Sequence, residues 1–221
     1  MSDKLNELIT VTESRSPISE AYRTLRTNLD FAGLDRALKT LVITSAGVSE
    51  GKSTTLANLA VVSAQAGRRI ILVDADLRRP MLHQVFGLAN DAGLTTMMMD
   101  DAALASPPLN QTGVDGLSVL TSGPLPPNPA EVMGSRRMEE IIAALAERAD
   151  QVLFDTPPVV AVTDAAVLAT KADGVVLVIS AGHTRRDHAR TAVQRLQQIN
   201  ARLVGAVLTN VQVDAGLKGY Y

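Results

Sequence analysis

The stretch TSAGVSEGKSTT, residues 44–55, places a glycine, a lysine and a hydroxyl residue in the order and spacing that cradles polyphosphates. The usual pattern is G-x-x-x-x-G-K-[ST]. Here Ala46 holds the first place, and Gly51, Lys52 and Ser53 hold the last three. In such a loop the backbone N–H groups of Gly47, Val48, Ser49, Glu50, Gly51 and Thr54 turn towards phosphate oxygens. Glycine permits the close approach and the unusual dihedrals. Lys52 would reach the β- and γ-phosphates, and the Ser53 hydroxyl would bind Mg²⁺. A helix beginning at this loop adds the positive end of its dipole.

Two other places carry acids where such a site needs them. IILVDADLRRP ends an apolar run with Asp74 and Asp76, and VLFDTPP ends another with Asp155. Residues two apart on a strand share a face, so if the strand persists that far Asp74 and Asp76 both project at the sheet's carboxyl edge. Together with Asp155 they could hold Mg²⁺ directly or through water. One of them could also accept the proton of an attacking hydroxyl. Lys52, Asp74 and Asp76 are therefore the candidate catalytic groups, and Ser53, Asp76 and Asp155 the candidate metal ligands. Asp164 reads first as a helix cap. Arg78 and Arg79 read equally as phosphate cations or solvated side chains. Asn210 closes the last apolar run, where its amide could read an adenine edge or simply form a turn.

The elements that must position these groups follow from the pattern. SPISEAYRTLRTNLDFAGL reads as a helix with Ser16 as N-cap and Pro17 at its first position. Six strands are expected, in KTLVITSA, RRIILVDAD, LSVLTSG, QVLFDTPP, DGVVLVISA and RLVGAVLTN. A helix after the phosphate loop stops at Gly67. Residues 80–116 are less regular, and the run Met97–Met99 reads as soft core packing. One helix is expected from PNPAE to about Ala149, one in TDAAVLATKA, and one in TRRDHARTAVQRLQQIN with Ala189, Ala192, Val193, Leu196 and Ile199 on its buried face. The strands are continuously apolar rather than alternating, as when helices cover both faces of a sheet. The expected fold is α/β: a doubly wound, mostly parallel sheet of the P-loop type. It divides into a flexible segment over 1–15, one domain over 16–211 and a flexible tail over 212–221.

Composition narrows the classes. The 221 residues are 46% hydrophobic, enough for a core, but only 3% aromatic. A net charge of −2 argues against a general nucleic-acid binder, and Arg185, Arg186 and Arg190 read as one solvated helix face. The chain has no cysteine, which removes thiol chemistry and thiolate metal sites, and its 3 dispersed histidines make a zinc site improbable. No apolar run approaches the ~18 residues of a membrane span, and MSDKLNELIT lacks a signal-peptide core. A cytoplasmic chain is expected, brought to a membrane only by a partner.

Taken together, TSAGVSEGKSTT, ILVDADLRRP and VLFDTPPVVAVTDA resemble the Walker A, Walker A′ and Walker B motifs of bacterial tyrosine kinases. The chain is most similar to the separate cytoplasmic kinase of capsular and exopolysaccharide systems, from about Ser16 to its last residue. SEAYRTLRTN and SGPLPPNPAEVMGS belong to the resemblance. It implies a P-loop fold related to chromosome- and septum-positioning ATPases, ATP with Mg²⁺, and autophosphorylation of a C-terminal tyrosine cluster. It also implies a ring-like homo-oligomer and a membrane-embedded activator of the chain-length-regulator type. The phosphoacceptors would be Tyr220 and Tyr221, which account for two of the chain's 3 tyrosines. Glu20, Arg23 and Arg26 match the family's E-x-x-R-x-x-R oligomerisation motif. Without the resemblance they read as a solvated helix face with a local Glu20–Arg23 pair. The chain departs from the family at Val48, where proline is common, and in having a cluster of only two adjacent tyrosines. The alternative is a switch ATPase of the positioning type. Those proteins carry a signature lysine where this chain has Gly47, and often end in an amphipathic membrane helix that DAGLKGYY cannot form.

Overall fold

The computed structural model describes residues 7–211. In chain order the elements are α1 (Ile9–Thr12), α2 (Pro17–Ala32), β1 (Thr40–Ser45), α3 (Lys52–Gln65), β2 (Ile70–Asp74), α4 (Leu82–Phe86), α5 (Leu94–Met99), α6 (Asp101–Ala105) and β3 (Asn110–Gln111). There follow β4 (Leu117–Leu120), α7 (Pro129–Gly134), α8 (Arg136–Arg148), β5 (Gln151–Asp155), α9 (Asp164–Ala169), β6 (Gly174–Ser180), α10 (Arg186–Gln198) and β7 (Leu203–Thr209). The sheet order is β3-β4-β2-β5-β1-β6-β7, and every pairing except β3 with β4 is parallel.

The parallel strands are apolar throughout because both faces are covered. Leu41, Ile43, Leu72, Leu153 and Val178 pack on the face that holds α3, while Val42, Val73, Phe154, Val175 and Leu177 pack on the face that holds α8, α9 and α10. Successive strand residues point to opposite faces, so one strand feeds two cores. All six expected strands are present, and the expected doubly wound sheet is the one observed. β7 is the exception to continuous burial: Gly205, Ala206 and Leu208 are exposed, because β7 lies at the sheet's edge.

Four local expectations change. The segment expected to be flexible over 1–15 includes α1, which packs on the domain, while residues 1–6 lie outside the described residues. Leu8 and Thr10 are buried, and the Thr10 N–H and hydroxyl both donate to Asn58 Oδ1 of α3, at 3.1 and 2.8 Å. The irregular stretch 80–116 contains three short helices and the antiparallel edge strand β3. The helix expected from PNPAE to Ala149 breaks at Ser135, whose side chain accepts from Met138 N at 3.2 Å and starts α8 afresh. Met97 is buried, but Met99 is 85% exposed, so the methionine run is only partly core. Other expectations hold. Ser16 accepts from Ser19 N at the start of α2, and Gly67 follows α3 with φ at 86°. Ala192 and Leu196 are buried beneath α10.

Candidate nucleotide and phosphoryl-transfer site

Three central strands end at one place. β2 and β5 are in register with Asp74 beside Asp155, and Asp155 is also level with Ile43 of β1. The loop leaving β1 therefore enters α3 directly above the carboxyl ends of β2 and β5. Ser49 and Gly51 both adopt left-handed backbone, with φ at 58° and 81°. Glycine takes that conformation freely, whereas Ser49 takes it against the clash of its Cβ. Such strain persists where surrounding bonds hold the backbone in place.

Those bonds come chiefly from Glu50. Its side chain is buried; one oxygen accepts from Ala46 N at 3.0 Å and the other from Thr184 Oγ1 at 2.6 Å. Its carbonyl accepts from Thr209 Oγ1 at 2.8 Å. A Cβ on Gly47 would stand 2.9 Å from Glu50 Oε1, so this carboxylate occupies the space a side chain at position 47 would need. The sequence placed Glu50 in the loop through its backbone and did not foresee the brace. Its partner Thr184 lies 134 residues away, and nothing local signals the contact.

Lys52 is buried and forms an ion pair with Asp155 through Oδ1. Ser53 Oγ donates to the other oxygen of Asp155 at 2.5 Å, and the Lys52 ammonium lies 3.8 Å from Asp76 Oδ2. Lys52, Ser53, Asp76 and Asp155 thus converge as the sequence requires. β2 ends at Asp74, so the strand does not extend to Asp76 and the two carboxylates take different partners. Asp74 is fully buried, and its Oδ2 accepts from Met81 N at 3.0 Å and Leu82 N at 2.8 Å. Its Oδ1 has no hydrogen-bond partner among the described residues. Burial, reinforced by the charge of Asp155, pushes the Asp74 carboxyl up to about 8. Asp76 accepts through Oδ1 from the backbone N–H groups of Arg78 and Arg79 and lines the open cleft. Burial raises its pKa as well, against the opposing attraction of Lys52.

The two arginines separate. Arg78 grips the buried Asp164 through Nε and Nη2 at 2.8 and 3.1 Å, which ties the segment after β2 to the start of α9. Asp164 is thus an ion-pair partner and makes no side-chain cap. Arg79 lines the cleft instead. Asn210, with φ at 55°, donates from Nδ2 to Ser180 Oγ at 2.8 Å. On α2, Glu20 pairs with Arg23, which also donates to Ser14 O at 2.6 Å, and Arg26 donates to Val62 O at 3.1 Å. Tyr220 and Tyr221 lie outside the described residues.

Two hollows meet at Gly51 and Thr54. The smaller, about 350 Å³, runs from the phosphate loop past Asp76 and Arg79 to Met81, Val85 and Pro158. The larger, about 620 Å³, lies between α2 and the end of β7 and includes Tyr22, Thr55 and Asn210. Among the described residues no group of three acids or histidines is arranged to hold an ion. Magnesium does not require one, since it commonly binds through one or two protein oxygens plus substrate phosphates and water. The hard oxygen donors Ser53 Oγ and Asp155 suit it.

A phosphate loop above the carboxyl ends of a parallel sheet defines a P-loop nucleotide-binding protein. Residues 41–219 match the CobQ/CobB/MinD/ParA nucleotide binding domain. Tyrosine-protein kinase YwqD of Bacillus subtilis is 45% identical over 215 residues, 97% of this chain and 90% of that protein. Tyrosine-protein kinase CpsD of Streptococcus agalactiae is 35% identical, with 91% and 87% covered. The kinase domain of the Escherichia coli tyrosine kinase ETK superposes with a TM-score of 0.82 at 32% identity, covering 93% of this chain and 82% of that one. The chain belongs to this nucleotide-binding family and, within it, to the bacterial tyrosine-protein kinases. The septum site-determining protein MinD of Pyrococcus horikoshii, complexed with Mg-ADP, shares the fold at 22% identity and a TM-score of 0.61, with 77% of this chain and 69% of that one covered.

Proposed function

We propose that this kinase transfers the γ-phosphoryl group of ATP to tyrosine hydroxyls, its own Tyr220 and Tyr221 among them, within capsular or exopolysaccharide synthesis. One observation carries the reading: Lys52, Ser53, Asp76 and Asp155 converge beneath a strained phosphate loop. The backbone of residues 47–54 binds the phosphates, and Lys52 offsets charge on the β- and γ-oxygens. Ser53 and Asp155 would hold Mg²⁺, which would supply further charge neutralisation. Asn210 and the larger hollow take the nucleoside. The phenol oxygen bonds to the γ-phosphorus as the bond to the β–γ bridging oxygen breaks. ADP leaves, and the phenolic proton passes to Asp76. Asp76 is favoured as the base because it lines the cleft, whereas Asp74 is closed off and serves to fold the segment after β2.

Residues 211–221 span at most about 35 Å when extended, enough to reach the site of a neighbouring copy. Glu20, Arg23 and Arg26 would form the contact between copies in a ring, exchanging their present bonds within the chain for bonds across it. No helix among the described residues is long and apolar enough to cross a membrane, and a membrane-embedded activator of the chain-length-regulator type would supply the attachment.

The test is incubation of the full chain with Mg–ATP, alone and with a cognate activator, followed by phosphotyrosine mapping. Phosphate is expected on Tyr220 and Tyr221 and lost in Lys52→Met. In Tyr220→Phe/Tyr221→Phe the sole remaining tyrosine is Tyr22, which is half-buried in α2, so phosphorylation should vanish. ATP hydrolysis with no phosphotyrosine even with the activator would establish a switch ATPase instead.

A further inference from the structure

The phosphate loop has two ends, and they differ chemically. Past Gly51 and Thr54 lies the larger hollow with Asn210, and a nucleoside placed there leaves the γ-phosphate at the Lys52 end. Beyond that end the smaller hollow continues over the segment between β2 and α4. Its far wall is apolar: Met81, 42% exposed, and Val85 face it, with Val48, 59% exposed, on the loop opposite. A triphosphate has no use for such a wall. An aromatic ring whose hydroxyl must reach Asp76 does, because the ring gains from apolar contact while its oxygen stays among polar groups.

The wall is also held in place. The N–H groups of Met81 and Leu82 donate to Asp74, and those of Arg78 and Arg79 to Asp76, so residues 78–82 fold around two carboxylates. The Arg78 guanidinium is committed to Asp164. The Arg79 side chain has no hydrogen-bond or ion-pair partner among the described residues, and it borders the same hollow as Lys52 and Asp76. Two neighbouring arginines are thereby divided: one fastens the segment, and the other is left to meet a ligand.

We propose that Met81 and Val85 form the ring-binding subsite for an acceptor tyrosine, and that Arg79 contacts the phosphoryl group being transferred to it. This rests on the kinase reading above and names the groups that select a phenol over an aliphatic hydroxyl. Met81 and Val85 give the ring its apolar floor. Arg79 pairs with a phosphoryl oxygen as the phosphorus moves from ADP to the phenol oxygen.

The experiment uses the full-length chain with Tyr220→Phe/Tyr221→Phe, Mg–ATP, any activator the parent chain needs, and a separate peptide of residues 212–221 as acceptor. Met81→Ser should raise the peptide KM about tenfold while ADP affinity stays within about twofold. Met81→Ala, a milder change at an exposed position, should give the same direction. Arg79→Gln should lower kcat for the peptide at least about tenfold at nearly constant ADP affinity, with part restored by Arg79→Lys. Unchanged peptide kinetics in both Met81 variants overturn the ring subsite. Equal losses of ADP and peptide affinity overturn it too, since the wall would then belong to the nucleotide. If the parent chain makes no phosphotyrosine on the peptide, the kinase reading fails and the subsite with it; an active parent with unaffected variants sinks the subsite alone.

Discussion

Two sets of ionisable side chains in this molecule are held in different ways. Lys52, Asp74, Asp76 and Asp155 come from three separate elements and are buried together at the ends of β2 and β5. Glu20, Arg23 and Arg26 come from one helix, lie at its surface and bond to each other or to nearby backbone. Removing charge from water costs several kcal/mol per ion unless partners compensate; here Lys52 and Asp155 pair with one another, and burial pushes Asp74 towards its neutral form. The helical set costs little and contributes a few tenths of a kcal/mol. The difference teaches that charges gathered from separate elements need tertiary partners to be buried, whereas those of α2 are satisfied locally at its surface.

Four changes would break or sharpen that contrast. The largest effect is expected from Lys52→Met, which should reduce autophosphorylation by at least about 100-fold, measured as phosphotyrosine per chain. A loss below about tenfold would mean the ammonium does not act on the phosphates. Next is a pH effect from Asp74. Its folded pKa of about 8 lies above the 3.8 of an unperturbed carboxyl. Between those values the folded state holds a proton that the unfolded chain has released. Stability is therefore full below about pH 4 and falls as pH rises towards 8, with a slope of at most about 1.4 kcal/mol per pH unit. Asp74→Asn should flatten urea midpoints measured on nucleotide-free protein from pH 5 to 8, and an unaltered slope would refute the assignment.

Arg78→Gln should destabilise by about 1–3 kcal/mol, because Asp164 is buried and loses a two-pronged partner. Equilibrium denaturation reads it, and a change under about 0.5 kcal/mol would place Arg78 with the surface charges after all. The smallest effect on stability is expected from Glu20→Gln, under about 0.5 kcal/mol by thermal melting. The same variant should shift sedimentation of the assembled protein towards monomer. Unchanged sedimentation with unchanged melting would leave α2 no role in assembly.

The chemistry was legible in the sequence wherever it depends on local chain geometry. The phosphate loop, the strand before it and the helix after it are read from a dozen consecutive residues. Asp155 and the Asp74/Asp76 pair stand out because acids rarely end apolar runs. Less was legible where the outcome turned on distant partners. β2 ends at Asp74, which gives Asp74 and Asp76 different partners, and no propensity in DADLRRP shows it. Thr10 in α1 is buried because Asn58 of α3 waits for it, so a polar N-terminal stretch that reads as mobile is part of the domain.

By itself the sequence determined the alternation of strand and helix, the phosphate loop, and the kinds of groups at the strand ends. These follow from side-chain period, from glycine's dihedral freedom and from the backbone's need for hydrogen bonds. Only the tertiary structure decided which carboxylate faces the cleft, which arginine is fastened and which lines the cleft, and that Glu50 braces the loop. The fastened arginine and the brace depend on partners 86 and 134 residues away, while the two carboxylates are set by the fold of the segment after β2, and a side chain's protonation and orientation are settled by what packs around it.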